Sequence, residues 1–176
     1  MNHKPLILIS ACLLGQKVRY DGRAKQLVNT IIDGWLKQGI LVSTCPEIAG
    51  GLPTPRPPAE IQHGKSSSEP NQIITINNQD VSDQFQLGAI KTLEKCIKNK
   101  IKMAILTDGS PSCGSATIND GNFNKNKIAG EGITTSLLRL NGIKVFNQNQ
   151  LELASQHYQQ LSTQQNKEQH EGQAAY

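Results

Sequence analysis

Three times in this chain a short run of aliphatic residues ends at a cysteine, or at a loop that carries one. Leu6-Ile-Leu-Ile-Ser-Ala leads into Cys12, Ile40-Leu-Val-Ser-Thr into Cys45, and Met103-Ala-Ile-Leu-Thr into the turn-rich segment that holds Cys113. Short branched runs bounded by Gly, Pro, Ser and Asp read as buried strands. After Thr107, the Ser110-Pro and Asp120-Gly steps, with Gly109 and Gly114, argue against regular structure as far as Gly121. If the three strands are parallel neighbours, all three thiols emerge at one carboxyl edge of one sheet. Open α/β sheets bind their ligands at that edge.

The segments between the runs fit this arrangement. Leu27, Ile31, Ile32 and Trp35 recur at helical spacing, with Gly39 placed to stop the helix. A second helix is expected from a cap at Ser82 or Asp83 to about Asn99, with Phe85, Ala89, Leu93, Cys96 and Ile97 on its apolar stripe. A third runs from about Thr134 to Leu140 and ends at Asn141-Gly142; a fourth carries Leu151, Ala154, Tyr158 and Leu161. Ile73–Ile76 and Ile143–Phe146 read as further strands, and Asn119–Phe123 as a turn. Alternating strands and helices predict an α/β fold: a Rossmann-like, mostly parallel sheet with helices on both faces and cysteine-bearing loops at its carboxyl edge. With three Phe, three Tyr and one Trp among 176 residues, its core must be aliphatic.

Residues 1–161 are expected to form a single domain. Residues 162–176, rich in Gln, Glu and Lys, offer too little apolar surface to offset the entropy of ordering and are expected to be a disordered polar tail. Pro46 to about Asn71 is dense in proline, glycine and serine and reads as irregular. A stretch that long is usually functional or disordered, and both are expected here: Glu47–Glu60 follows a cysteine and carries Arg56 and Glu60, whereas His63–Glu69 reads as a mobile excursion.

The formal charge of +4 is spread over helix faces through lysines such as Lys91, Lys95, Lys98 and Lys102. No arginine and aromatic residues interleave with them, so no nucleic-acid partner is expected. The N-terminal apolar run is far shorter than the roughly twenty residues of a membrane span, and no cleavage pattern follows it. A cytoplasmic protein without a membrane partner is expected. In that compartment loop cysteines bind metal or do chemistry rather than pair. Cys96, on the buried face of a helix, is expected to act as a small hydrophobe.

The cysteines are widely spaced without a C-x-x-C pair, unlike a zinc ribbon or a ferredoxin run. Three protein ligands leave one coordination position open, as in a catalytic centre. Soft thiolates select zinc or an iron-sulfur cluster, so both stay open, as does the plainer view of three unrelated free thiols. A non-catalytic metal- or redox-sensing module and a zinc-dependent hydrolase are the alternatives to cluster chemistry.

Longer blocks surround these cysteines. Ser10-Ala-Cys-Leu-Leu-Gly with Arg19-Tyr-Asp-Gly, Cys45-Pro-Glu-Ile-Ala-Gly-Gly-Leu-Pro-Thr-Pro-Arg-Pro-Pro-Ala-Glu, Ser110-Pro-Ser-Cys-Gly and Asp120-Gly-Asn-Phe together resemble the short single-domain family of thiouracil desulfurases. The resemblance runs from about Lys4 to Phe146. It implies a [4Fe-4S] cluster held by Cys12, Cys45 and Cys113, with zinc as the alternative. It also implies non-redox removal of sulfur from a small-molecule thiolated base: an open iron binds the substrate sulfur and sulfide is released. Cys96 matches no block. Asn119 stands where the family more often has an aromatic residue, and the segment at His63–Glu69 has no counterpart. Such chemistry needs an acid or base and a hydroxyl near the cysteines, which points to Glu47 and Ser110 as catalytic. Arg19, Arg56 and Ser112 are candidates for binding substrate, and Asp21 for holding the loop. The plainer roles are an ion pair between Glu47 and an arginine of its loop, and a turn at Ser110-Pro111.

Overall fold

In the computed structural model, which describes residues 4–62 and 71–173 without the side chains of 168–173, the chain alternates as the sequence predicts. In order, the elements are β1 (Ile7–Ser10), α1 (Thr30–Lys37), β2 (Leu41–Thr44), α2 (Pro46–Ala49), β3 (Ala59–Gln62), β4 (Gln72–Thr75), α3 (Ser82–Lys98), β5 (Met103–Leu106), β6 (Thr117–Asn119), β7 (Lys127–Ala129), α4 (Ile133–Leu140), β8 (Lys144–Asn147) and α5 (Leu151–Gln173). Strands β2, β1, β5 and β8 lie side by side in that order, all parallel. The inner strands β1 and β5 are buried at every position, which is why they read as short, charge-free and mostly apolar runs.

Alternate side chains divide the core between the two faces of the sheet. Ile7, Ile9 and Ile105 pack with Ile32 and Trp35 of α1 and Tyr158 of α5. Leu8, Ala104 and Leu106 pack with Cys96 of α3 and Leu138 of α4. Cys96 is completely buried there, as expected. Ile97 is not part of the stripe and is 65% exposed. Among the described residues, no helix is long and apolar enough to cross a membrane.

Several local expectations change. The segment after Cys45 is not wholly irregular: it opens with the single turn α2 and ends in β3. Strand β4 pairs antiparallel with β3 in a separate sheet, and β6, which falls in the stretch expected to lack regular structure, pairs with β7 in a third. Asn29, whose side chain accepts from the Ile31 N–H, caps α1, so Leu27 precedes the helix. At the start of α3 the Ser82 hydroxyl accepts from the Ile73 N–H, and Asp80 accepts from the Ser82 N–H; neither Ser82 nor Asp83 acts as the cap. Finally, α5 continues to Gln173 through most of the stretch expected to be a disordered tail. Its packed first half has already met the cost of nucleation, and each further Gln, Lys or Glu extends the ladder at small cost. The His63–Glu69 expectation lies outside the described residues.

Candidate functional site

Parallel neighbours end at the same edge, so β2, β1 and β5 deliver their following loops to one place. Cys12 sits in the 3-10 turn Ala11–Leu14 directly after β1, Cys45 caps α2 directly after β2, and Cys113 lies in the turn after β5. All three line a single cavity of about 550 Å³, together with Glu47, Ser110, Arg19 and Arg56. A volume of this size suits a small-molecule site.

Hydroxyl groups reach two of the sulfurs. Cys12 Sγ lies 3.0 Å from Thr107 Oγ1, and the Ser10 hydroxyl donates to Cys113 Sγ at 3.8 Å. Burial pushes the Cys113 thiol well above its usual range, and the nearby charges of Glu47, Cys45 and Cys12 push it the same way. Burial also raises Cys45; the Ile48 backbone N–H and the Arg56 guanidinium oppose this, while Glu47 and Cys12 add to it. Cys12 thus bears on both Cys45 and Cys113, and three thiolates together in this cavity need a cationic group. A bound metal centre supplies that charge and removes the protons outright. Among the described residues, no group of three or more His, Cys, Asp or Glu is gathered to hold a single ion. Three soft thiolates on one cavity are the donor set that zinc or an iron-sulfur cluster takes.

The plainer roles of Glu47 and Ser110 are present, inside the cavity. Arg56 Nη2 lies 2.7 Å from Glu47 Oε2, and Arg56 Nε donates to the same oxygen at 2.9 Å. Arg56, whose side chain is 5% exposed, also donates to the carbonyls of Val18 and Pro53 and to Thr54 Oγ1. It is thus the pin of its loop. The other carboxylate oxygen, Glu47 Oε1, faces the Ser110 hydroxyl at 3.4 Å. That hydroxyl in turn accepts from the N–H groups of Ser112 and Cys113, fixing the turn that carries the third thiol. Arg19 lies at the rim, 3.6 Å from Asp21 Oδ1 and over the Tyr20 ring. Asp21 accepts from the Arg23 N–H and so holds its own loop.

Ser112 does not line the cavity. It is completely buried, with its hydroxyl 2.8 Å from Thr134 Oγ1. Its carbonyl accepts from the N–H groups of Thr134 and Thr135 at the start of α4. The backbone of Gly132 lies so close that a Cβ there would come within 2.4 Å of the Ser112 carbonyl. The turn therefore points Ser112 under α4 and away from any substrate.

Sequence reasoning assigned no role to three positioning features. Asp108 accepts from the N–H groups of Ser115, Ala116 and Thr117 and from the Thr117 hydroxyl, closing the loop that carries Ser110 and Cys113. Burial opposes its charge, yet these donors outweigh it and hold the carboxyl below the usual range. Gly50 and Gly88 let α2 lie backbone-on-backbone against α3, which sets where Cys45 and Glu47 stand. Glu60, buried within a proline-rich run, lines the cavity from β3. An Asp-Gly step directly after a strand was the only visible hint of the first; the other two depend on contacts between segments distant in sequence.

A family model described as 2-thiouracil desulfurase matches residues 7–150. Uncharacterized protein YbbK of Bacillus subtilis (strain 168) is 38% identical over 151 residues, covering 83% of this chain and 97% of that protein. A solved structure of the [4Fe-4S]-dependent thiouracil desulfidase TudS is similar at a TM-score of 0.79 and 46% identity, covering 87% of this chain and 99% of that one.

Proposed function

As the chain belongs to the 2-thiouracil desulfurase family, we propose that it removes sulfur from a thiolated pyrimidine at a [4Fe-4S] cluster held by Cys12, Cys45 and Cys113, without net redox change. It is a thiouracil desulfurase-like enzyme. The observation that carries the reading is the convergence of three thiols with the Glu47–Ser110 pair on one cavity. A cluster is favoured over zinc because the similar solved structure is [4Fe-4S]-dependent.

A cluster bound there would supply a Lewis-acidic iron with one position open to the substrate sulfur. In the net reaction a bond forms between a water oxygen and the ring carbon, the C–S bond breaks, and sulfur leaves with the bonding pair as hydrosulfide. Protons must pass from water to the departing sulfur or to solvent. Arg56 holds Glu47 by one carboxylate oxygen and leaves the other for that work. Ser110 faces the free oxygen, so its hydroxyl can pass a proton along. The turn hydrogen bonds that fix Ser110 also hold it beside Cys113 and keep the two parts of the site in register. Arg19, at the rim, orients the polar edge of the ring.

The test is an anaerobic incubation of iron-loaded protein with 2-thiouracil and no reductant. Uracil and sulfide should appear in equal amounts. Iron-loaded protein that leaves a panel of thiolated bases intact, or turns over only with a reductant, would overturn the proposal.

A further inference from the structure

The sheet edge builds only part of the cavity wall. The two hairpins supply more of it, through Glu60 on β3, Ile76 after β4, and Asn119, Phe123 and Lys127 around the β6–β7 turn. They meet at Gly121, where a Cβ would lie 2.7 Å from the Ile61 carbonyl oxygen.

Phe123 stands out in this wall. Its φ of +56° is left-handed, a conformation that bulky L-residues rarely adopt. Glu60, an acid only 5% exposed, accepts from the Phe123 N–H at 2.9 Å and fixes that conformation. On the other side of the turn, Asp120 accepts from the Asn122 N–H and from the side-chain amides of Asn124 and Asn126. Packing does not explain the arrangement, because Phe123 belongs to none of the three hydrophobic clusters and instead lines the cavity. Nothing in the reaction described above uses Glu60.

We propose that Phe123 is the surface on which the substrate ring stacks, and that Glu60 is the positioning residue that fixes it. The proposal rests on the desulfurase reading. A thiopyrimidine is a flat ring with polar edges and two π-faces; the cysteine side of the cavity takes the sulfur edge, and a face remains to be covered. An aromatic ring covers it whatever the edge pattern, since every base offers a π-face. The substrates are therefore planar ring thiocarbonyls as opposed to acyclic ones.

The decisive variant is Phe123→Gly, which removes the ring while suiting a left-handed backbone. With iron content matched to the parent, KM for 2-thiouracil should rise about tenfold or more, the effect of losing one base–aromatic stack. The change in kcat should be smaller, and the melting temperature should not fall. Phe123→Tyr should restore the lower KM. Glu60→Ala should reproduce the rise, and Glu60→Gln, which keeps an acceptor for the Phe123 N–H, should reverse it. An active parent beside a Phe123→Gly variant of unchanged KM overturns the stacking proposal alone. A parent that releases no sulfide overturns the desulfurase reading and this proposal with it.

Discussion

Replacing Gly88 by alanine perturbs the site through a residue that never enters it. A Cβ on Gly88 would stand 2.0 Å from the Pro46 carbonyl oxygen, and one on Gly50 would stand 1.9 Å from that of Gln84. Helix α2 must therefore shift by more than about 1 Å before a methyl group fits. Overpacking of this kind costs about 1–3 kcal/mol. Alanine in a helix interior regains about 1 kcal/mol over glycine, so the net loss is at most about 2 kcal/mol. For a chain of this size that lowers the melting temperature by less than about 8 °C. Function should suffer far more. Cys45 and Glu47 ride on α2, and a misplacement of about 1 Å costs on the order of a hundredfold in rate. Gly88→Ala should bind less iron and turn over thiouracil about a hundredfold more slowly while staying folded. Gly34→Ala is the control: nothing lies within 4 Å of a Cβ in that α1 position, so it should gain about 1 kcal/mol and keep its turnover. Parent-level iron content and turnover in Gly88→Ala would show that the glycine contact does not position α2.

Three further outcomes follow from particular contacts. Asp108 has a folded-state pKa below its unfolded one, so its stabilising contribution is complete above about pH 4 and is lost as pH falls through the folded value. Urea denaturation across the acid range should show a flatter acid limb in Asp108→Asn, and an unchanged limb would contradict the loop clamp. Arg56→Ala should cost about 3–5 kcal/mol, because the Arg56 side chain is 5% exposed and its loss strands a carboxylate. Arg19→Ala should cost less than about 1 kcal/mol, because Arg19 is 32% exposed and 3.6 Å from its partner; equal costs would refute the distinction. Glu47→Gln and Ser110→Ala, with full iron content, should each lose at least about a hundredfold in turnover. Parent rates in both would place the acid and base elsewhere.

The parallel sheet could be read from the sequence because burial on both faces leaves short, charge-free and mostly apolar runs at Ile7–Ser10 and Met103–Leu106. The thiols could be placed because a cysteine directly after such a run, or in the loop that follows it, sits at the edge where open sheets bind. The pairing in the hairpins could not be read. Ile73–Ile76 reads as a strand and matches β4, but its partner Ala59–Gln62 is only four residues long at the end of a proline-rich stretch. Pairing between strands separated in sequence leaves no local pattern. Proximity in sequence pointed to Glu47 and Ser110, which line the cavity, and equally to Ser112, which does not, because a turn reverses direction within two residues and sends neighbouring side chains to opposite sides. The link between Phe123 and Glu60 was hidden for a related reason: it is one backbone-to-side-chain hydrogen bond between the β6–β7 turn and β3.

The central claim is that three of the four cysteines hold one cluster and the fourth is packing. Cys96 lies completely buried in α3, and burial pushes its thiol up to about 11, so it stays a protonated hydrophobe. Native mass spectrometry after anaerobic reconstitution reads the claim directly on the parent and on four single Cys→Ser variants. The parent and Cys96→Ser should each gain the mass of one [4Fe-4S] cluster, and Cys12→Ser, Cys45→Ser and Cys113→Ser should not retain it, since a hydroxyl is a harder and poorer ligand. A cluster lost from Cys96→Ser but kept by one of the other three, or a parent that takes up a single zinc ion in its place, would contradict the account.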